Sequence, residues 1–449
     1  MKKAAIDPGK LLNIPGSKSH TLNAIAVALK TNKELVIGNP YPKIDLDKYK
    51  SILGAQGFEA EHVDNGIRLK KAENAQECVS SEKLYDLDDP VALLAAIRFK
   101  MPVRFFVEDN EDYERKYLIL RRLGIEFGEI EKINDRNILA IVDFKPVKVK
   151  FSFQESNFYM ADYVGLICAL CDLETEFLSK IDVVKPLAEF IYPLELELEN
   201  LQKPAEETDE LEKRLRKFQK QKQEERLHYR IKGITGDTED NLSLPADKFI
   251  TSLAAVMAAI DSDEETYLGP LKNFDGDKAF SKILAKLGIT CEIYRHTVDD
   301  DDTQNYLKIA QDKLKGRKID EALMREFTSG FGPLAVLASF ADDKTILRGL
   351  PSSSSLWQSR ISGVSDILST AGLRVGEVED GFVIEPPNER GDIVYQVFDD
   401  PYLQLVQLTA GILINEKPLT AEFFKPMTRY PHFQFILDKI RPRSKSLAS

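Results

Sequence analysis

The stretch Ile14-Pro15-Gly16-Ser17-Lys18-Ser19-His20-Thr21 runs directly into an apolar segment, Leu22–Leu29, that is predicted to be helical. A Gly-Ser-Lys-Ser turn that opens a helix aims backbone N–H groups, two hydroxyls and an ammonium at one point, which suits a phosphate or a carboxylate. It is not a P-loop, because the second Gly and its spacing are missing. A serine N-cap followed by a solvent lysine is the alternative reading of the same residues. Cys168-Ala-Leu-Cys171 has CxxC spacing but lies inside the apolar stretch Val164–Leu173, with no second pair near it. The five histidines, at 20, 62, 228, 296 and 432, form no HxH or HxxxH pair. No metal and no cofactor are therefore expected, and the four cysteines are expected to be reduced.

The elements that must position such a turn follow from length and pattern. At 449 residues the chain is long enough for two or three domains. Lys and Arg number 61 against 73 Asp and Glu, a net charge of −12, which argues against nucleic acid or an anionic membrane surface as partner. Small anionic ligands remain open to it through local basic pockets. The longest apolar stretches, such as Phe249–Ile260 and Ala335–Ala341, are too short to span a bilayer. No apolar run follows the charged N-terminus, so a cytoplasmic protein is expected.

One phrase recurs along the chain: a helix ending in Gly, a strand, a polar turn and a second strand. Its helix-ending glycines are Gly57, Gly124, Gly288 and Gly372, each expected in the left-handed conformation that a Cβ penalises. The long step between Gly124 and Gly288 has room for a degenerate copy ending near Leu198–Gln202 and resuming at Tyr229-Arg230-Ile231. A last partial copy closes at Phe433–Ile440, giving about six units. Between them, Ala92–Ile97, Met160–Leu173, Phe249–Ile260, Gly332–Phe340 and Leu403–Ile414 read as buried second helices. The charged stretch Pro204–Arg226 reads as an exposed helix inserted in the third unit, with a basic docking arm as the alternative.

The opening Ile14-Pro15-Gly16-Ser17-Lys18-Ser19 resembles the first motif of the EPSP synthase family, the 3-phosphoshikimate 1-carboxyvinyltransferases. Further stretches resemble the same family: Glu155-Ser156-Asn157-Phe158, Val184-Lys185-Pro186-Leu187 with Tyr192, Leu334–Ala341 followed by Ser359-Arg360-Ile361, Asp400–Gly411, and Tyr430-Pro431-His432-Phe433. The resemblance implies an α/β (α+β) protein of two domains, with six βαβαββ units arranged as inverse α/β prisms, three per domain. Residues 1–13 with 239–449 would form one domain and 14–238 the other. It also implies a reaction: the 5-hydroxyl of shikimate 3-phosphate attacks the vinyl carbon of phosphoenolpyruvate, and phosphate leaves from a tetrahedral intermediate. Both substrates are small anions, and a monomer is expected.

By the resemblance, Lys18 and Arg360 are the catalytic and phosphoenolpyruvate-binding cations, and Ser19, Ser156, Asn157 and Arg429 are candidate substrate-binding residues. Many other functional positions are replaced. Asn23 stands where the family has an arginine, and Leu87-Asp88-Asp89-Pro90-Val91-Ala92-Leu93 replaces its Asn-Ala-Gly-Thr-Ala-Met-Arg loop. The arginine-rich turn becomes Glu108-Asp109-Asn110-Glu111-Asp112. Ser329 replaces the catalytic aspartate, Trp357 the proton-transferring glutamate, Asp400-Pro401-Tyr402 the Asp-His-Arg motif, and Thr428 the late lysine. Asp247, Asp275 and Asp277 are carboxylates near family motif positions. No counterpart of the reactive cysteine loop of the cell-wall enolpyruvyl transferase is present. Two functions stay open: a divergent enolpyruvyl transferase with unfamiliar acid/base groups, or a catalytically silent or repurposed scaffold binding another small anionic ligand. Surface placement of residues 86–89 and 108–112 is the expectation; if they instead face the cleft, transfer as the family performs it is disfavoured.

Overall fold

The computed structural model describes residues 10–64, 66–73, 83–133, 136–154, 157–194, 198–201, 227–231, 240–261, 265–272, 274–299, 302–310, 313–387, 389–428 and 430–440. Ser156, Arg429 and the charged stretch 204–226 lie outside them. The first unit comprises β1 (Leu11–Asn13), α1 (Lys18–Thr31), β2 (Leu35–Gly38), α2 (Leu46–Ala55), β3 (Phe58–Val63) and β4 (Gly66–Lys71). The second has β5 (Leu84–Tyr85), α3 (Pro90–Ile97), β6 (Arg104–Val107), α4 (Glu111–Arg122), β7 (Ile125–Phe127), β8 (Glu131–Ile133) and β9 (Arg136–Phe144). The third has β10 (Val149–Phe153), α5 (Met160–Cys171), β11 (Thr175–Ser179), α6 (Val184–Phe190), β12 (Leu198–Asn200) and β13 (Leu227–Ile231).

The second half repeats the order. Its units are β14 (Asn241–Ser243), α7 (Lys248–Asp261), β15 (Thr266–Leu271), α8 (Asp275–Lys286), β16 (Thr290–Asp299) and β17 (Asp302–Ala310), and then α9 (Glu321–Glu326), α10 (Phe331–Ala338), β18 (Thr345–Arg348), α11 (Ser355–Thr370), β19 (Arg374–Val378) and β20 (Gly381–Glu385). Helices α12 (Pro401–Ile414) and α13 (Pro431–Ile440) follow. The described residues form five sheets, and the sixth unit has none. There the extended chain at Ile393–Gln396 is held by side-chain amides instead of a strand. Asn415 bonds both backbone groups of Ile393 at 2.7 and 3.1 Å, and Gln407 does the same for Gln396 at 2.8 and 3.0 Å.

The expected glycines sit where the chain turns out of a helix, at φ 71° (Gly57), 97° (Gly124), 90° (Gly288) and 79° (Gly372). Helices α1, α3 and α5 are apolar nearly all round and pack together, as do α7, α10 and α12. Sheets and the more amphipathic helices surround each trio, so two separate hydrophobic cores result. This is the two-lobed α/β arrangement with buried inner helices that the resemblance implies.

The lobes exchange a strand. β1 precedes α1 but pairs parallel with β15 of the second lobe, while β14 precedes α7 but pairs parallel with β2 of the first. The chain therefore crosses between lobes near residues 14–16 and again near 244–246. β14, expected with the second group of residues, pairs in the first. Two matching turns meet at these crossings. Gly16 and Ala246 form an antiparallel bridge, and Asp247 N donates to Pro15 O at 2.8 Å.

Candidate active site

A cavity of about 740 Å³ lies between the lobes. Both crossing turns reach it, the first through Ser17, Ser19 and His20, the second through Asp247, Lys248 and Phe249. Each turn is built the same way. Ser17 Oγ accepts from His20 N at 3.1 Å and Asp247 Oδ1 accepts from Ile250 N at 3.0 Å, so both helices carry a side-chain N-cap. Thr21 and Thr251, one turn on, donate their hydroxyls to the carbonyls of Ser17 and Asp247 at 2.9 and 2.7 Å. The two helix N-termini point at one space, where their N–H groups favour negative charge.

The remaining wall comes from both lobes. The loop before α3 supplies Asp86 and Asp88; β6, the turn after it and α4 supply Phe106, Glu108, Asp112, Tyr113 and Lys116. Asp162 and Tyr163 on α5, Glu189 on α6, and Arg325–Ser329 beside α9 also line it, as do Ser354–Trp357 at the start of α11. The acidic stretches read as surface loops are thus cavity wall in part. Asp89 is buried as the N-cap of α3, accepting from Val91 N and Ala92 N at 3.1 Å each and from Tyr49 Oη at 2.6 Å. Asp88 is paired with Lys116 at 2.5 Å. Burial raises Asp86, Asp89, Asp247 and Glu326 from the ordinary carboxylate value.

Three groups in the wall are shifted further. Burial, aided by the nearby Lys248, lowers His20 to about 4 and so keeps it neutral; its Nε2 lies 2.9 Å from Glu189 O. Burial pulls the Lys248 ammonium down to about 8, against the opposing pull of Asp277, Glu326, Asp162 and Asp275. Burial pushes Asp162 up to about 7, and Lys248 draws it back in part. Lys248 is ion-paired across the lobes with Glu189. The walls are also tied at the rim. Arg115 Nη1 donates to Ser353 O at 2.8 Å and to Tyr159 Oη at 2.8 Å, while Ser354 Oγ donates to Asp112 at 3.0 Å. Lys185 pairs with Asp275 at 3.3 Å.

The residues singled out from sequence are not all gathered here. Ser19 lines the cavity, and Lys18, the first residue of α1, is exposed next to it and close enough to Asp86 to lower that carboxyl's pKa against the stronger effect of burial. Arg360 lies on α11 three residues past Trp357, outside the lining. Its guanidinium is held by Asp400 at 2.7 and 3.3 Å and stacks 4.4 Å from the Tyr402 ring centroid. Asn157 is also outside the lining, half-buried, accepting from Gln154 N at 2.7 Å. Asn23 is buried and clamps α1 to the carbonyls of Phe190 and Tyr192 at 3.0 and 3.2 Å. Ser329 and Trp357 line the cavity, whereas Thr428 is exposed and not among the lining residues. Cys168 and Cys171 are free thiols inside α5, each pushed up to about 12 by burial.

Sequence reasoning missed Lys248, Asp162, His20 and Glu189. A signal for Lys248 was present: Leu244-Pro245-Ala246-Asp247-Lys248 repeats the pattern of Ile14-Pro15-Gly16-Ser17-Lys18. Asp162 stood out only as one acidic residue in an apolar helix.

No protein-family model matches the chain. Curated relatives are named 3-phosphoshikimate 1-carboxyvinyltransferase. The one from Ruminiclostridium cellulolyticum is 32% identical over 172 residues, 38% of this chain and 37% of that protein. The one from Clostridium novyi is 22% identical over 98% of both chains. The chain spans only about half the length of others, such as 55% of the Desulforamulus reducens protein. Among solved structures, EPSP synthase from Acinetobacter baumannii superposes with a TM-score of 0.66 at 15% identity, over 96% of this chain and 95% of that one. The enolpyruvyl transferase NikO from Streptomyces tendae gives 0.55 at 13% identity, over 90% and 88%. An end-to-end sequence likeness at low identity thus joins a shared fold, and in both the chain is similar to the EPSP synthases.

Proposed function

We propose that this protein is an EPSP synthase-like enolpyruvyl transferase, which takes shikimate 3-phosphate and phosphoenolpyruvate into the cleft and releases phosphate. The observation that carries this reading is the convergence of two capped helix N-termini, with Lys18 and Lys248 as their first residues, on one 740 Å³ cavity. A cleft of that size accommodates two small acids. The acid/base work falls to groups other than those of the relatives, since Ser329 and Trp357 occupy those positions. In this reading the protein acts as a cytoplasmic monomer, with Lys18 and Ser19 as ligand-binding residues at the cleft and Ser156, Asn157, Arg360 and Arg429 assigned by the resemblance alone.

A second reading is favoured by one observation: Asp86, Asp88, Glu108 and Asp112 line the cavity where the related enzymes are basic. On that reading the scaffold has kept its cleft for a different small ligand and performs no transfer. A phosphate-release assay with purified protein and both substrates separates the two. Turnover abolished by Lys18→Met and weakened at least tenfold by Arg360→Ala supports the transferase. No release from well-folded protein leaves the repurposed cleft.

A further inference from the structure

The two crossing turns are related position by position. Ile14, Gly16, Ser17, Lys18 and Thr21 correspond to Leu244, Ala246, Asp247, Lys248 and Thr251, with matching backbone partners: Ile14 N bonds Gly269 O at 2.7 Å and Leu244 N bonds Gly38 O at 2.9 Å. Lys248 is thus the second-lobe counterpart of Lys18, presented to the same cavity from the opposite wall. It differs in setting. Lys18 is exposed, whereas the Lys248 side chain is 21% exposed and its Glu189 partner 9%.

Titratable groups from five other helices surround Lys248. Glu189 on α6 is its ion-pair partner, Asp162 faces it from α5, Asp275 and Asp277 from α8, Glu326 from α9 and neutral His20 from α1. Of the other cations near this cluster, Lys185 is engaged by Asp275 and Glu326 and Lys278 by Asp275, while Lys282 lies close enough to Glu326 to lower its pKa. The Phe327 ring centroid lies 5.5 Å from the Lys248 ammonium. Gly276 leaves the room, for a Cβ there would strike the Lys248 ammonium, Glu189 Oε2 and the Glu326 carbonyl.

We propose that Lys248 and Asp162 are the proton-transfer pair of the cleft, taking the work that Ser329 and Trp357 cannot do. This rests on the transferase reading. In the addition half, the acceptor hydroxyl oxygen bonds to C2 of phosphoenolpyruvate, its proton passes to the Asp162 carboxylate, and C3 takes a proton from the Lys248 ammonium. In the elimination half, C3 returns a proton to the Lys248 amine, the C2–O bond to phosphate breaks, and Asp162 gives its proton to the leaving phosphate. No further reactant is needed. Both groups stand near neutrality, where one can donate and the other accept at the same pH.

The test measures phosphate release and, in D₂O, deuterium uptake into the methylene group of phosphoenolpyruvate, for wild type, Lys248→Arg and Asp162→Asn. Arginine keeps the charge and the Glu189 pair but cannot give up a proton, so the variant should fold, as near-wild-type circular dichroism would show. The expected result is a loss of about 100-fold or more in both readouts for Lys248→Arg. Asp162→Asn should lose about tenfold or more and the limb of the pH profile near 7. If wild type turns over and Lys248→Arg keeps a third of its rate, the pair is wrong while the transferase stands. If folded wild type shows neither release nor uptake, the transferase reading fails and this inference with it.

Discussion

The two crossing turns share a backbone plan and differ in what surrounds them. On the first, Lys18 reaches solvent at the edge of the cleft; on the second, Lys248 is folded into a shell of carboxylates beneath it. The same contrast runs through neighbouring positions. His20 matches Ile250, and Leu46, which opens α2 after Asp45, matches Gly276, which follows Asp275 in α8. The repeated element thus presents a lysine twice, but only the copy with Gly at 276 has room to bury its charge. Position in the repeat sets where a lysine begins, and its neighbours decide its chemistry.

Filling that room is the largest way to break the contrast. Gly276→Ala should cost about 3 kcal/mol in urea unfolding, because the Glu326 carbonyl, 2.8 Å from the added Cβ, cannot step aside. Leu46→Ala, at the half-buried counterpart, should cost about 1 kcal/mol. Acid provides a second probe. His20 and His432 are held neutral to about 4, while unfolded histidine protonates near 6.5, so the unfolded state binds more protons between those values. Stability should be fully present above pH 6.5 and fall as pH drops towards 4, by about 3 kcal/mol for each histidine, a loss that His20→Leu should reduce when followed by melting temperature.

A smaller effect is expected at the bridge between the turns. Gly16→Ala places a Cβ 2.6 Å from Asn39 O and should cost about 1.5 kcal/mol, whereas Ala246, its counterpart, already carries one and should lose about 1 kcal/mol on change to Gly. The smallest lies at the rim. Asp112→Asn weakens the tie to Ser354 and should change stability by under about 1 kcal/mol, with a modest shift in the emission of Trp357, the single tryptophan, which lines the cavity nearby.

Helix positions and turn glycines were legible because they are written locally. Met160–Leu173, read from its apolar run, is α5 within two residues, and Gly372 is left-handed as its place after α11 requires. The third unit was blurred because its helix α6 ends at Phe190 without a glycine. Strand exchange was not legible at all: nothing in Leu11–Asn13 says that its partner is Tyr267–Gly269. In the cleft, the resemblance led to Lys18 and Ser19, but acidity alone made residues 86–89 look like surface. Their caps and pairing partners, Tyr49 and Lys116, are distant in sequence or specified only by the folded loop. Lys248 went unnoticed because Ala-Asp stands before it instead of Gly-Ser, although its backbone needs only what Ala246 and the Asp247 cap supply.

The exchanged strands also impose an order on synthesis. β2 can pair with β4 as soon as residue 71 has emerged, yet its other edge stays open until Asn241–Ser243 arrives. At about 5–20 residues per second, the ribosome needs roughly 10–35 s to deliver that strand. The nascent first lobe must pass this interval with an unpaired sheet edge, a surface on which chaperones or a second nascent chain could act before the protein has made any cleft.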